Sequence, residues 1–155
     1  MTKLIGEFNM GAALNLYDQD FYAWTQEQAN LIKEKSFDKL DLTHLFEEVE
    51  DMGNRHADEI ESRLQVLLMH LLKWKYQPNL QSRSWQLTIK EQRLSLERRL
   101  KKMPSLKSKL PEIFNDSYAP ALLNAEKETG LSESTFPTNC EWTIDQILAN
   151  DFYPN

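Results

Sequence analysis

LTHLFEEVEDMGNRHADEIESRLQVLLMHLLKWKY, from Leu42 to Tyr76, is the stretch whose reading decides the fold. Counted from Ile60, apolar residues recur at Leu64, Leu67, Leu68, Leu71 and Leu72, the i+4, i+7, i+8, i+11, i+12 series of one helical face. Counting back along the same stripe gives His56, Met52, Val49, Phe46, Leu45 and Leu42, so Gly53 lowers helix propensity without shifting the apolar register. The spacing predicts one continuous or gently kinked helix, on the order of 50 Å long at about 1.5 Å per residue. A helix cannot hide such a stripe alone. Other segments must pack on it, with Val66 to Trp74 at the centre.

Working outward, residues 1–16 show small side chains and no strong period, and are expected to form a flexible N-terminal arm. Asp18 is placed to cap a first helix with apolar positions Phe21, Trp24, Ala29, Leu31 and Ile32 and a basic finish at Lys33 and Lys35. Asp41 is the expected N-cap of the long helix, and Pro78 ends it. Ser82 or Ser84 then caps a third helix reaching Lys102, striped by Trp85, Ile89, Leu96, Leu100 and Met103 and stopped by Pro104. The short connection makes it antiparallel to its predecessor. A fourth helix, capped by Ser105, carries Leu106, Leu110, Ile113, Phe114, Tyr118, Leu122 and Leu123, with Pro111 and Pro120 predicting a bend or a break. Gly130 reads as a left-handed stop, Thr143 as the cap of a short last helix, and Phe152 and Tyr153 as the pins of the tail. No alternating strand pattern appears. The expected fold is all-α, a bundle of about four or five helices around one long central helix, with residues 17–155 as a single domain.

Composition agrees: 41% hydrophobic, 27% charged and only four glycines in 155 residues favour helix over turn-rich β structure. The apolar run Val66 to Leu72 is interrupted by His70 and falls far short of the roughly 20 residues that span a bilayer. Met1 to Leu14 lacks the apolar core of a signal peptide, so the cytoplasm is the expected location. Cys140, the sole cysteine, excludes an internal disulfide and a thiolate cage, and is expected to be buried or idle. The net charge of −6 conceals segregation: residues 1–72 carry −8, residues 73–109 carry +9 and residues 110–155 carry −7. Internal pairing between neighbouring helices is favoured over a polyanion-binding face as the reason for it.

The segments LYDQDFYAW (Leu16 to Trp24), LFEEVEDMG (Leu45 to Gly53), LLMHLLKWKYQP (Leu67 to Pro78), SRSWQLTIKEQR (Ser82 to Arg93), ETGL and TFP (within Glu128 to Pro137) occur in this order. Together they resemble the bacterial family catalogued as domain of unknown function 29, from about Leu16 to Pro154. The resemblance implies an all-helical, single-domain, mainly bacterial protein and brings no assigned activity. Its recurrent pattern falls on Glu48, His70, Trp74, Gln77, Ser84, Trp85, Thr88, Ile89 and Arg93, without roles. Gln81 stands where that pattern more often has a basic residue, which weakens a phosphate clamp at the turn.

His44 and Glu48 share a helix face at i, i+4, yet His70, the third candidate ligand of a metal-dependent enzyme, lies 22 residues beyond Glu48. That gap is about 33 Å along one helix. No His-Glu-x-x-His or Glu-x-x-His motif is present, so no metal site and no cofactor is assigned. His56 and His70 read as packed, hydrogen-bonded core histidines. Glu47, Glu48, Glu50 and Asp51 read as a solvated face near a helix N-terminus rather than as acid/base catalysts. Neither a nucleophile elbow nor a phosphate-cradling glycine loop exists. The basic 73–109 segment, with Trp74, Tyr76 and Trp85 beside it, makes nucleic acid the alternative partner, although a sequence pI near 5.1 opposes it. The leading expectation is a protein-interaction module without catalytic activity. Its binding residues are His70, Trp74, Gln77, Arg83, Ser84, Trp85 and Arg93, centred on the turn from Gln77 to Trp85, and its partner is another protein rather than a membrane.

Overall fold

A computed structural model describes residues 16–155, and the expected arm of residues 1–16 falls outside them except for its last residue. After a helical turn at 16–19 come α1 (Phe21–Lys33), α2 (Leu42–Tyr76), α3 (Arg83–Lys102), α4 (Leu110–Thr129) and α5 (Ile144–Leu148). Short 3-10 turns join them at Phe37–Lys39, Pro78–Leu80, Pro104–Lys109 and Glu133–Thr135. The fold is all-α, with no strand among the described residues. α2 is a single helix of 35 residues with the bounds that its periodicity predicts. Two compact units divide the chain, the first ending at Asn54 and the second running Arg55–Asn155.

In the first unit, Asp20 rather than Asp18 caps α1, its side chain accepting the Ala23 amide N–H at 3.0 Å. The preceding turn at 16–19 is already helical and leaves Asp20 as the break that needs a cap. Most of the apolar positions expected to bury α1 do not. Phe21, Ala29 and Ile32 are exposed and Leu31 is half-buried, whereas Trp24 and the polar Gln28 are buried. Gln28 tolerates burial because its Oε1 accepts the backbone N–H of Asp41 at 2.8 Å. Lys35 takes a left-handed φ of 60° just past α1, closing the helix where glycine is the usual choice. Asp41 caps α2 as expected, accepting the His44 N–H at 3.3 Å.

The second unit holds the main core, in which Ile60, Leu64, Leu67, Leu68, Leu71 and Leu72 of α2 are all buried. Each such side chain contributes about 1.5–3 kcal/mol by leaving water. Lys73 lies over Trp85, Arg63 donates to Gln92 and Arg99 pairs with Glu59, so numbers rise along α2 as they fall along α3 and the two are antiparallel. Ser82 is the cap of α3, accepting from the Trp85 N–H. α4 runs beside α2 in the same direction, since Ser117 Oγ lies 3.4 Å from the Glu61 carbonyl and Lys73 pairs with Glu128.

Ser105 caps nothing, because a 3-10 turn leads straight into α4 and Pro111 occupies its first turn, where a missing N–H costs least. Pro120 stands inside α4 without dividing it: the bond it deletes belongs to the carbonyl of Asp116, an exposed residue that solvent can serve. Gly130 ends α4 in the left-handed conformation at φ 71°. Thr143 and Gln146 form a reciprocal capping box on α5. Phe152 and Tyr153 pack against the core, as expected of the tail.

The upstream half of the α2 stripe keeps its register but not its burial. Leu42, Phe46, Val49 and Met52 are 67%, 67%, 65% and 59% exposed, and His56, expected in the core, is exposed as well. The reason lies on another side of the same helix. Tyr17, Trp24 and Gln28 engage Asp41, His44 and Glu48, so polar side chains of α2 take the inner position in this unit.

Candidate functional site

The binding residues expected from the sequence all belong to the second unit, and its helices divide them. Arg83 and Ser84 are exposed, as are all of residues 78–84, so the turn between α2 and α3 is an open surface. His70, Trp74, Gln77 and Trp85 are half-buried, each beside a partner or a packed neighbour. Trp74 meets the ring of Tyr153 at 4.9 Å, and its carbonyl accepts the Gln81 side-chain N–H at 2.9 Å. Lys73 sits 4.5 Å from the centre of the Trp85 ring while its Nζ donates to Glu128 at 2.6 Å. That arrangement spends the Lys73 charge inside the fold.

Arg93 is not a surface group. It is 2% exposed, on the buried stripe of α3 between Ile89 and Leu96. Its guanidinium donates from Nε to the Ile147 carbonyl at 2.8 Å, from one terminal nitrogen to Asn150 at 3.4 Å and from the other to Phe152 at 2.6 Å. Burial pushes its pKa down, opposed by Tyr153 and Asp151. The side chain therefore ties the C-terminal segment to α3. The spacing of 89, 93, 96 and 100 carried the signal for this position on the apolar face.

His70 Nδ1 donates to the Val66 carbonyl one turn earlier at 2.8 Å, the buried hydrogen bond expected of it. Burial depresses the His70 pKa, and the Lys73 ammonium adds to that effect against the opposing Val66 bond and Glu128. The ring is neutral at pH 7, with its proton fixed on Nδ1 by that bond.

The first unit assembles a cluster that sequence spacing did not foresee. His44 Nδ1 and the Trp24 indole N–H both donate to Asp41 Oδ2, at 2.7 and 3.0 Å, and the Tyr17 ring stacks on the His44 imidazole at 3.8 Å. Burial pushes the Asp41 carboxyl up, but hydrogen bonds from His44, Trp24 and the His44 backbone outweigh it and leave it below the usual carboxylate value. The Tyr17 hydroxyl donates to Glu48 at 2.7 Å, and that carboxylate pushes the phenol up to about 12. His44 and Glu48, the proposed metal ligands of this unit, thus each hold a protein partner. Among the described residues no three His, Cys, Asp or Glu side chains converge as a metal site would require. Glu47, Glu50 and Asp51 are exposed as expected of a solvated acidic face, whereas Glu48, expected in solvent with them, is half-buried against Tyr17.

The basic 73–109 segment is partly neutralised within the fold. Lys73 pairs with Glu128, Lys75 with Glu141 and Arg99 with Glu59, while Arg93 is buried. Arg83, Lys90, Arg98, Lys101, Lys102, Lys107 and Lys109 remain exposed. Burial pushes the Cys140 thiol up, which fits an unreactive cysteine. No helix among the described residues is long and apolar enough to cross a membrane.

A model of the family described as Domain of unknown function DUF29 matches residues 16–153. No curated protein and no solved structure matches the chain.

Proposed function

The chain belongs to the DUF29 family, and from that premise we propose that it is a protein-interaction module whose first unit docks a basic amphipathic helix of another protein. One observation carries the reading. Leu42, Phe46, Val49 and Met52 form a continuous apolar row on α2, all more than half exposed. Their combined area is on the order of the 300–600 Å² at which a surface patch is commonly functional. Exposed Glu50 lies beside the row, one helical turn past Phe46, so a partner helix gains by bringing lysine or arginine next to its own apolar stripe. Two copies meeting symmetrically on this face would bring the Glu50 carboxylates toward each other, which disfavours a second copy.

A fluorophore-labelled leucine–lysine amphipathic peptide, titrated into the protein and followed by anisotropy, tests the reading. Binding in the range of about 1–10 μM is expected, and its loss in a Phe46→Ser, Val49→Ser double variant, with a leucine–glutamate peptide failing to bind. Equal binding by wild type and variant overturns the proposal. So does a sedimentation experiment in which the protein alone dimerises and the same two substitutions dissolve the dimer, since a second copy is then the occupant.

The turn from Gln77 to Trp85 is proposed as a second contact, on the strength of exposed Leu80, Gln81, Arg83 and Ser84. Replacing Arg83 with alanine reports on that contact separately. The alternative of nucleic acid draws on the seven exposed cations of the basic segment, and a gel shift that weakens steeply with salt would favour it over protein docking.

A further inference from the structure

On the second unit, a cleft of about 550 Å³ opens between α3, the 3-10 turn that follows it and the segment after α5. Leu100 and Leu148 give it an apolar floor, while Lys101, Lys107, Arg93 and Glu97 supply its charges. Three cations against one carboxylate leave an excess of two positive charges in a single concavity. Asp151, outside the lining, offsets part of the Arg93 charge, which leaves the two lysines. Among the described residues neither Lys101 nor Lys107 forms an ion pair, and Arg93 spends its N–H groups on backbone carbonyls, which carry no net charge. Low-dielectric walls concentrate such a field, so the cleft draws in anions. Its volume falls within the ~300–1,000 Å³ of small-molecule sites, too small for a folded partner.

We propose that this cleft binds a small phosphomonoester with an apolar body. The ring or chain lies on Leu100 and Leu148, and the phosphate meets the ammonium groups of Lys101 and Lys107. Two point charges on flexible stems suit a phosphate dianion and leave the choice of apolar group to the floor. The site lies in a different unit from the docking face of α2, so each proposal stands or falls alone.

Phenyl phosphate is the probe, titrated into the full ¹⁵N-labelled chain and followed by amide NMR. Saturable shifts centred on Leu100 and Leu148 are expected, with affinity in the range of about 0.1–1 mM. A Lys101→Glu, Lys107→Glu double variant is expected to bind at least about tenfold more weakly, each substitution being at an exposed residue that bears no ion pair. Arg93 is left intact because it holds the tail. Absence of saturable shifts, or equal shifts in wild type and variant, overturns the proposal. Inorganic phosphate binding as tightly as phenyl phosphate overturns the part assigned to Leu100 and Leu148.

Discussion

Arg93 Nε donates to the carbonyl of Ile147 at 2.8 Å, joining the middle of α3 to the last turn of α5. The two residues are 54 positions apart and both are buried. Because the other guanidinium nitrogens reach Asn150 and Phe152, one side chain serves three carbonyls of the tail. Replacing Arg93 with alanine leaves those acceptors and a cavity behind, and is expected to destabilise the second unit by about 3 kcal/mol or more. Lysine keeps the charge but not the fork, so Arg93→Lys should still lose about 2 kcal/mol. Thermal unfolding by circular dichroism checks both. A lysine variant melting with the wild type would show that charge alone holds the tail.

Asp41 performs the corresponding service in the first unit, capping α2 while accepting from Trp24 and His44. Asp41→Ala is expected to cost about 1–3 kcal/mol through lost cap and orphaned donors. Its pH signature has a definite sign. The folded pKa is below the ordinary value of 3.8, so the contribution is present above that value and is lost as pH falls through the folded pKa. The Trp24 indole N–H resonance followed by NMR through an acid titration reads this directly, because that group donates to Asp41. The Asp41→Asn variant should be less stable at neutral pH and should lack the acid-dependent step.

His70 gives a step in a different pH window. Its folded pKa is below the ordinary value of 6.5, so below that value the unfolded chain binds more protons than the folded one. Stability of the second unit is therefore expected to fall as pH drops from 6.5 toward the folded pKa, and to level off beneath it. Lys73 and Glu128 act on the ring from α2 and α4, with opposite signs. Urea midpoints compared at neutral and mildly acid pH, in wild type and in His70→Gln, measure the effect. Equal pH slopes for the two proteins would assign the titration elsewhere.

Helix bounds were legible because they depend on local chemistry: Asp41, Ser82, Gly130 and Thr143 mark ends by hydrogen bonds and dihedrals that their own residue types dictate. The side of each helix that meets another was legible only where burial is apolar, as from Ile60 to Leu72. In the first unit the inner side of α2 carries Asp41, His44 and Glu48. Periodicity assigns such residues to solvent, and only partners distant in sequence, Tyr17, Trp24 and Gln28, make their position tenable. Arg93 had its place on the apolar face in its spacing, but the acceptors that make its burial tenable are backbone carbonyls with no sequence signature.

The exposed row of Leu42, Phe46, Val49 and Met52 and the core stripe share one helix and one register, so a matched pair of substitutions separates periodicity from burial. Leu68 is fully buried, and Leu68→Ala should remove its transfer energy and leave a cavity, costing about 2–5 kcal/mol. Leu42 is 67% exposed, and Leu42→Ala should fall within about 0.5 kcal/mol of wild type because little apolar area returns to water. Chemical denaturation of the two variants decides it, with the Trp24 indole N–H resonance reporting the first unit and far-ultraviolet circular dichroism the whole helix content. A Leu42→Ala loss near that of Leu68→Ala would mean that the upstream row is covered in solution, and the docking proposal for α2 would then lose its surface.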